Sequence, residues 1–252
     1  MQAVPDHSDT SETPERQWMM AFPAIAFLFV VLCIVAFLHS PYFEIRQVRV
    51  SGANYLSEYE VLLIADIPEK ANVFLIPTKR IEQRLAATPR IRKARVERII
   101  PDTLQIRLEE RTTAVYMPYG GYFIDIDEFG SAIAVSEAVT DPDVPLLVGV
   151  VPTYVAVGER VKPEAPVVCG AAVGAALVRQ RIPNLSEVDV SSPQDVVIRT
   201  SDGVRVLAGG SEDIEERVRL LDSILASVRE RGVPVDYIDV RVEAKPVTRT
   251  MR

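Results

Sequence analysis

The stretch 71–111, ANVFLIPTKRIEQRLAATPRIRKARVERIIPDTLQIRLEER, changes its hydrophobic period once, and that change sets the architecture. Ile81 and Leu85 lie four apart on one side of a helix that begins near Thr78 and stops before Pro89, whose ring and missing N–H break the helical ladder. From Lys93 the period falls to two. Ala94 and Val96 alternate with Lys93, Arg95 and Glu97, Pro101-Asp102 makes a turn, and Leu104, Ile106 and Leu108 alternate with Gln105 and Arg107. Upstream, Val48 and Val50 flank Arg49 in a half-buried strand that Ser51-Gly52 ends. Ser57-Glu58-Tyr59-Glu60 is a capping box, in which the serine hydroxyl and the Glu60 carboxylate each satisfy an orphan amide. Val61, Leu62, Ile64 and Ala65 give the helix that follows its apolar face. The order is strand, helix, helix, strand, strand, so that two helices cover one face of a three-stranded sheet.

Ahead of this unit lies MMAFPAIAFLFVVLCIVAFL, residues 19–38, without a charge. A helix of that length rises about 30 Å, the thickness of a bilayer's hydrocarbon core, so a transmembrane helix is expected there after a leader at 1–18. A cleaved signal peptide fits less well. The leader carries Asp6, Asp9, Glu12 and Glu15 against Arg16 alone, and Leu38-His39-Ser40-Pro41 is a poor processing site. Arg16 on one side and Arg46 and Arg49 on the other give no clear charge bias for orientation. The rest of the chain has a globular profile: 48% hydrophobic, 25% charged, with a formal net charge of -7 that argues against nucleic acid as a partner. Cys33 lies inside the apolar run and Cys169 far beyond it, so no intrachain disulfide is expected.

The region from Thr112 onward reads mostly as strands with two helices. Tyr122–Ile126 is a short strand leading into the turn Asp127-Glu128-Phe129-Gly130. Ser201-Asp202-Gly203 joins strands at 196–200 and 204–207 as a hairpin, since glycine accepts positive φ. Ser211 is a candidate cap for a helix whose first turn holds Glu212 and Asp213 and whose stripe is Ile214, Val218, Leu221, Leu225 and Val228. Gly232 and Pro234 end it. The last strand is expected at Val235–Val242, and the tail 246–252, opening with Pro246, is expected to be disordered.

These stretches, IRQVRVSGANYLSEYEV and 71–111 followed by GYFIDIDEFG, VPLLVGV, LSEVDV and YIDVRV, together resemble the FtsQ/DivIB family of bacterial cell-division proteins over nearly the whole chain. The resemblance implies an α+β protein with a transmembrane helix, a POTRA domain at 43–111 and a β-domain with packed helices at 112–245. It implies a divisome scaffold rather than an enzyme, with the N-terminus cytoplasmic and the folded part outside the plasma (inner) membrane at the septum. Its partners would be the small coiled-coil protein FtsB, or DivIC, and FtsL, acting on FtsW and its septal transpeptidase. The family's last strand receives the partner, which places contacts at Tyr237, Val240, Val242, Ala244 and Lys245. An exposed edge strand at Val235–Val242 would invite such strand addition through its unpaired amides and carbonyls. The family pattern carries an aromatic where this chain has Val242.

Other chemistries fit these residues less well. His7 and His39 both lie outside the folded region, so no histidine is available there for a Ser/His/Asp or Cys/His arrangement or a zinc cluster, and no catalytic or metal site is expected. Cys169 sits in an Ala- and Gly-rich segment and reads as a small buried residue. Asp125-Ile126-Asp127-Glu128-Phe129-Gly130 has the start of a calcium loop, but Phe129 and Ser136 stand where ligands are needed. Gly170-x-x-x-Gly174 lies in an apolar run too short to span, and reads as a soluble helix packed closely on a sheet. No cofactor is expected. Arg84, Arg92, Lys93, Arg95 and Arg98 belong to a locally basic stretch, which is either two solvated faces or a patch for anionic head groups or an acidic partner. A POTRA-type chaperone for secreted or outer-membrane proteins and a membrane-anchored cell-wall enzyme are the alternatives to a scaffold.

Overall fold

The computed structural model describes residues 14–231, 235–241 and 247–250. The first helix, α1, runs Pro14–Leu38 with Pro23 inside it. It therefore begins within the stretch expected as leader, whose first residues lie outside the described ones. Its side chains are described from Pro23 onward, and among the described residues no helix is long and apolar enough to cross a membrane.

A short 3-10 turn, Pro41–Phe43, leads from α1 into the smaller sheet. There β1 (Gln47–Ser51), α2 (Glu58–Ala65), α3 (Thr78–Ala86), β2 (Ile91–Ile99) and β3 (Thr103–Glu110) follow in the expected order. The capping box is formed: Glu60 N–H donates to Ser57 Oγ at 3.2 Å, and Ser57 N–H to Glu60 Oε2 at 2.8 Å. Ser57 Oγ also donates to Glu60 Oε2 at 2.7 Å, and this bond, with the one from the Ser57 amide, holds the Glu60 carboxyl below the usual range. β3 lies in the centre, parallel to β1 and antiparallel to β2. Leu104, Ile106 and Leu108 are buried against Val61, Ala65, Ile81 and Leu85 of the helices, so the period-two and period-four apolar sets meet in one core.

A nine-stranded sheet follows, built from β4 (Val115–Tyr119), β5 (Tyr122–Ile126), β6 (Ala132–Ser136), β7 (Leu146–Val148), β8 (Leu185–Asp189), β9 (Val196–Thr200), β10 (Arg205–Gly209), β11 (Val235–Asp239) and β12 (Val247–Thr250). Its spatial order is β12-β11-β10-β9-β8-β7-β4-β5-β6. Helices α4 (Glu164–Arg179) and α5 (Ile214–Arg231) pack on each other, with α4 against β4, β7 and β8. Gly170 and Gly174 set how closely. A Cβ at Gly170 would meet Leu147 Cδ1 at 2.3 Å, and one at Gly174 would meet Ala114 O at 2.4 Å. The GxxxG spacing thus belongs to a soluble helix lying tight on its sheet. Cys169 is buried beside it with Sγ 3.3 Å from Pro193 O.

Three expectations need correction. The last helix starts at Ile214, because Asp213 has φ 51° and a left-handed residue cannot sit inside a right-handed helix; Glu215 and Glu216, not Glu212 and Asp213, occupy its first turn. The strand expected to reach Val242 ends at Asp239. And the tail expected to be disordered contains β12, which pairs antiparallel with β11 through Val235–Thr250, Tyr237–Arg249, Ile238–Thr248 and Asp239–Val247. Val247, Thr248 and Thr250 are β-branched, which favours a strand.

Candidate partner-binding edge and the joint between the sheets

β11 has both edges occupied, by parallel β10 on one side and by β12 on the other. It is therefore not the edge strand expected from the sequence. β12 is the terminal strand of the sheet, with no strand beyond it among the described residues. The opposite terminal strand, β6, is partly plugged: Ala132 N–H donates to Glu159 O at 2.9 Å and Gly158 N–H to Ala132 O at 2.7 Å. The two ends of the sheet differ in how much of their backbone is already taken.

Of the residues expected to touch a partner, Tyr237 is half-buried on β11, opposite Arg205 of β10 and Arg249 of β12 in the strand register. Val240 is 1% exposed, and its N–H donates to Leu207 O at 3.1 Å, so its side chain belongs to the core and is not available to a partner. The period-two pattern put Val240 on the same face as Ile238, and that face is the buried one. Val242, Ala244 and Lys245 lie outside the described residues.

Two side chains that the sequence did not single out fix the chain near this edge. Arg241 forks onto Asp239, with Nε to Oδ1 at 3.0 Å and Nη2 to Oδ2 at 2.7 Å, and reaches Asp195 at 3.3 Å. The hydrogen bonds from Arg241 hold the Asp239 carboxyl below its ordinary value, and the same pair raises Arg241. Arg217 of α5, only 8% exposed, donates to the carbonyls of Ala208 and, at 2.9 Å, Gly210 at the end of β10. Gly209 between them has φ 74°, and a Cβ there would meet Arg217 Nη1 at 2.7 Å.

The basic stretch does not form one surface. Arg84 pairs with Asp66, and Arg98 Nη2 donates to Ile76 O at 2.8 Å. Arg92 turns to the larger sheet, 3.5 Å from Glu128 and 5.7 Å from the centre of the Phe129 ring. Lys93 and Arg95 stand exposed on β2.

Arg92 is one edge of a polar joint that binds the two sheets together. Arg90 pairs with Asp125, which also accepts from Thr113 Oγ1 at 3.1 Å and Ser136 Oγ at 3.0 Å. The guanidinium of Arg90 lies 4.8 Å from the centre of the Tyr55 ring. Arg111 reaches Asp127 at 2.6 Å, while Asp127 Oδ1 accepts the N–H groups of Phe129 and Ser131 at 3.0 and 2.9 Å. The carboxylates with calcium-like spacing are thus engaged by guanidinium groups, hydroxyls and turn amides. Glu110 positions Tyr55 by accepting N–H bonds from Asn54, Tyr55 and Leu56 at 2.8, 2.8 and 3.0 Å.

The two halves of this geometry coincide with two sequence families. A model described as POTRA domain, FtsQ-type, matches residues 43–111, and one described as cell division protein FtsQ/DivIB, C-terminal, matches residues 115–241. Among curated proteins, the chain is 28% identical over 259 residues to cell division protein FtsQ of Streptomyces collinus, covering 95% of this chain and 94% of that one. It is 23% identical over 236 residues to FtsQ of Syntrophotalea carbinolica, covering 91% and 83%. It is 26% identical over 147 residues to cell division protein DivIB of Geobacillus kaustophilus, covering 58% and 56%. With an FtsQ-type POTRA domain followed by the C-terminal domain characteristic of these proteins, the chain belongs to the FtsQ/DivIB family of cell division proteins.

Proposed function

We propose that this protein is a bitopic, non-enzymatic scaffold of the division machinery, which binds FtsB or DivIC, with FtsL, by strand addition at the β12 edge. The observation that carries this reading is the position of β12 as the terminal strand of a continuous nine-stranded sheet. Its outward amides and carbonyls offer a backbone template, and a partner strand laid on them extends the sheet to a further strand. The complex would in turn regulate the septal synthase formed by FtsW and its transpeptidase. Tyr237, with Val242, Ala244 and Lys245, remains the proposed set of side-chain contacts around that template.

The anchor is the run 19–38, within α1, whose side chains Ile25, Phe27, Leu28 and Phe29 are each more than 60% exposed in the isolated chain. A bilayer would cover them. The N-terminus would lie in the cytoplasm and both sheets outside the plasma membrane, at the septum.

A photo-crosslinking residue placed in turn at each position from Tyr237 to Thr250 in living cells tests the edge. Capture of a small single-span coiled-coil protein at alternating positions of Val247–Thr250 is the expected result. Adducts confined to the β6 end of the sheet would move the interface there, and a broad range of unfolded clients would favour a chaperone.

A further inference from the structure

Four exposed apolar side chains crowd the point where α1 meets the smaller sheet: Tyr42 is 58% exposed, Leu75 60%, Ile99 41% and Ile100 60%. Single exposed apolar residues are ordinary. These four, however, come from three segments that hydrogen bonds draw together around the end of α1. Asn72 Nδ2 donates to Leu38 O at 2.7 Å, and Leu75 N–H to Asn72 O at 3.1 Å. Ile45 N–H donates to Ala71 O at 2.8 Å, and Arg46 N–H to Asp102 O at 2.8 Å, just past Ile100-Pro101. Arg98 ties the strand before that turn to Ile76 O. Phe37 of α1 packs edge-on against Phe43, and Phe43 against Phe74, with ring centres 5.2 and 4.9 Å apart. The helix is seated on this end of the domain, not merely joined to it.

The charges in these segments are mostly of one sign. Arg46, Lys79, Arg80 and Arg98 are exposed, whereas Glu44 and Asp102 are half-buried. Lys79 and Arg80 lie in the first turn of α3, which has no side-chain cap and no acidic residue there. Cations at a helix N-terminus oppose its dipole. A local rule broken without a compensating contact inside the fold points to a gain outside it.

We infer that this end of the smaller domain docks on the bilayer surface, with Leu75 and Ile100, flanked by Tyr42 and Ile99, entering the interfacial layer, and Arg46, Lys79, Arg80 and Arg98 meeting anionic lipid head groups. The inference rests on the reading of α1 as an anchor. The bilayer is the fitting occupant because the patch surrounds the C-terminal end of an exposed apolar helix, at the depth where hydrocarbon gives way to head groups. Tyrosine and aliphatic side chains rimmed by basic residues suit that layer. Each cation close to an anionic surface favours docking roughly fivefold.

The test uses the full chain with Cys33→Ser and Cys169→Ala, carrying one cysteine at Leu75, Ile100 or, as a distant reference, Val151, which is 82% exposed in the larger domain. Each is labelled with a bimane, reconstituted into phosphatidylcholine vesicles with or without phosphatidylglycerol, and quenched by a lipid with a shallow nitroxide. Quenching several-fold stronger at Leu75→Cys and Ile100→Cys than at Val151→Cys is expected. It should rise with phosphatidylglycerol, and Lys79→Gln, Arg80→Gln and Arg98→Gln together should abolish that rise. Equal quenching at all three positions, with the protein still resisting alkaline carbonate extraction, overturns the docking and leaves the anchor standing. Quenching indifferent to phosphatidylglycerol overturns the head-group contacts. Release of the full chain by carbonate overturns the anchor, and the docking with it.

Discussion

Arg90, just before β2, and Asp125, on β5, meet across the two sheets with side chains only 11% and 4% exposed. A charge pair so far out of water is costly to break from one side, because the surviving charge stays buried without its partner. Arg90→Ala is therefore expected to lower stability by about 3 kcal/mol in a denaturant titration. Asp125→Asn should lower it less, since its one carbonyl oxygen, placed at the Oδ2 position, can still accept from Arg90 and Thr113 while its NH2 donates to the Ser136 hydroxyl. Arg90→Met combined with Asp125→Leu should recover part of the loss. Additive losses in the double variant would show that the two groups do not act as a pair.

Tyr55 beside this pair reports on the joint through pH. Burial, then the nearby charge of Asp141, raises its phenol above 10.0, with Arg90 opposing. The folded state thus holds the proton more tightly than the unfolded chain. The resulting stability is complete below pH 10.0 and is lost as pH rises through the folded value. In an ultraviolet titration Tyr55→Phe should remove a late-ionising tyrosine and flatten the alkaline loss of stability. Removal of an early-ionising one would contradict this.

Gly174 should tolerate alanine worse than Gly170 does. Alanine gains about 1 kcal/mol over glycine in a helix interior, but at Gly174 its methyl meets the backbone oxygen of Ala114 at 2.4 Å. Moving that oxygen shifts β4 as well. A net loss of roughly 1–2 kcal/mol is expected in thermal unfolding. At Gly170 the closest atom is the tip of Leu147, which can rotate.

Arg217→Ala is expected to loosen the β12 end of the sheet from behind. It strips a charged donor from the carbonyls of Ala208 and Gly210, with an expected cost of about 2–3 kcal/mol. Amide hydrogen exchange should then quicken most in β10 and β11. A uniform change across both sheets would mean that Arg217 has no special hold on this end.

The periodic elements were legible because side-chain period follows directly from backbone geometry: Ile81 and Leu85, or Leu104, Ile106 and Leu108, declare their faces without reference to the rest of the chain. The joint was not. Arg90 and Asp125 are 35 residues apart and each looks like ordinary surface charge until the fold brings them together. Asp125 and Asp127 have the spacing that opens a metal loop, since a turn that needs carboxylates to accept amides shares its residues with the start of such a loop. At the β12 end of the sheet, the family resemblance pointed to β11 as the edge, and the outermost strand could not be read from the sequence. β12 is only four residues long, and Pro246 just before it reads as the end of order when it precedes a strand that turns back along the sheet.

The unbroken run of strands from β6 to β12 also fixes a distance. At about 4.8 Å per strand, the nine strands hold their terminal edges roughly 40 Å apart, and a twist of about 20° at each step turns one edge far out of line with the other. The joint to the smaller domain grips β5, next to the last strand at one end. A small rotation of that joint is therefore magnified at β12, like the tip of a long pointer. A force applied at β12 would likewise return to the Arg90–Asp125 pair with the leverage of the whole sheet.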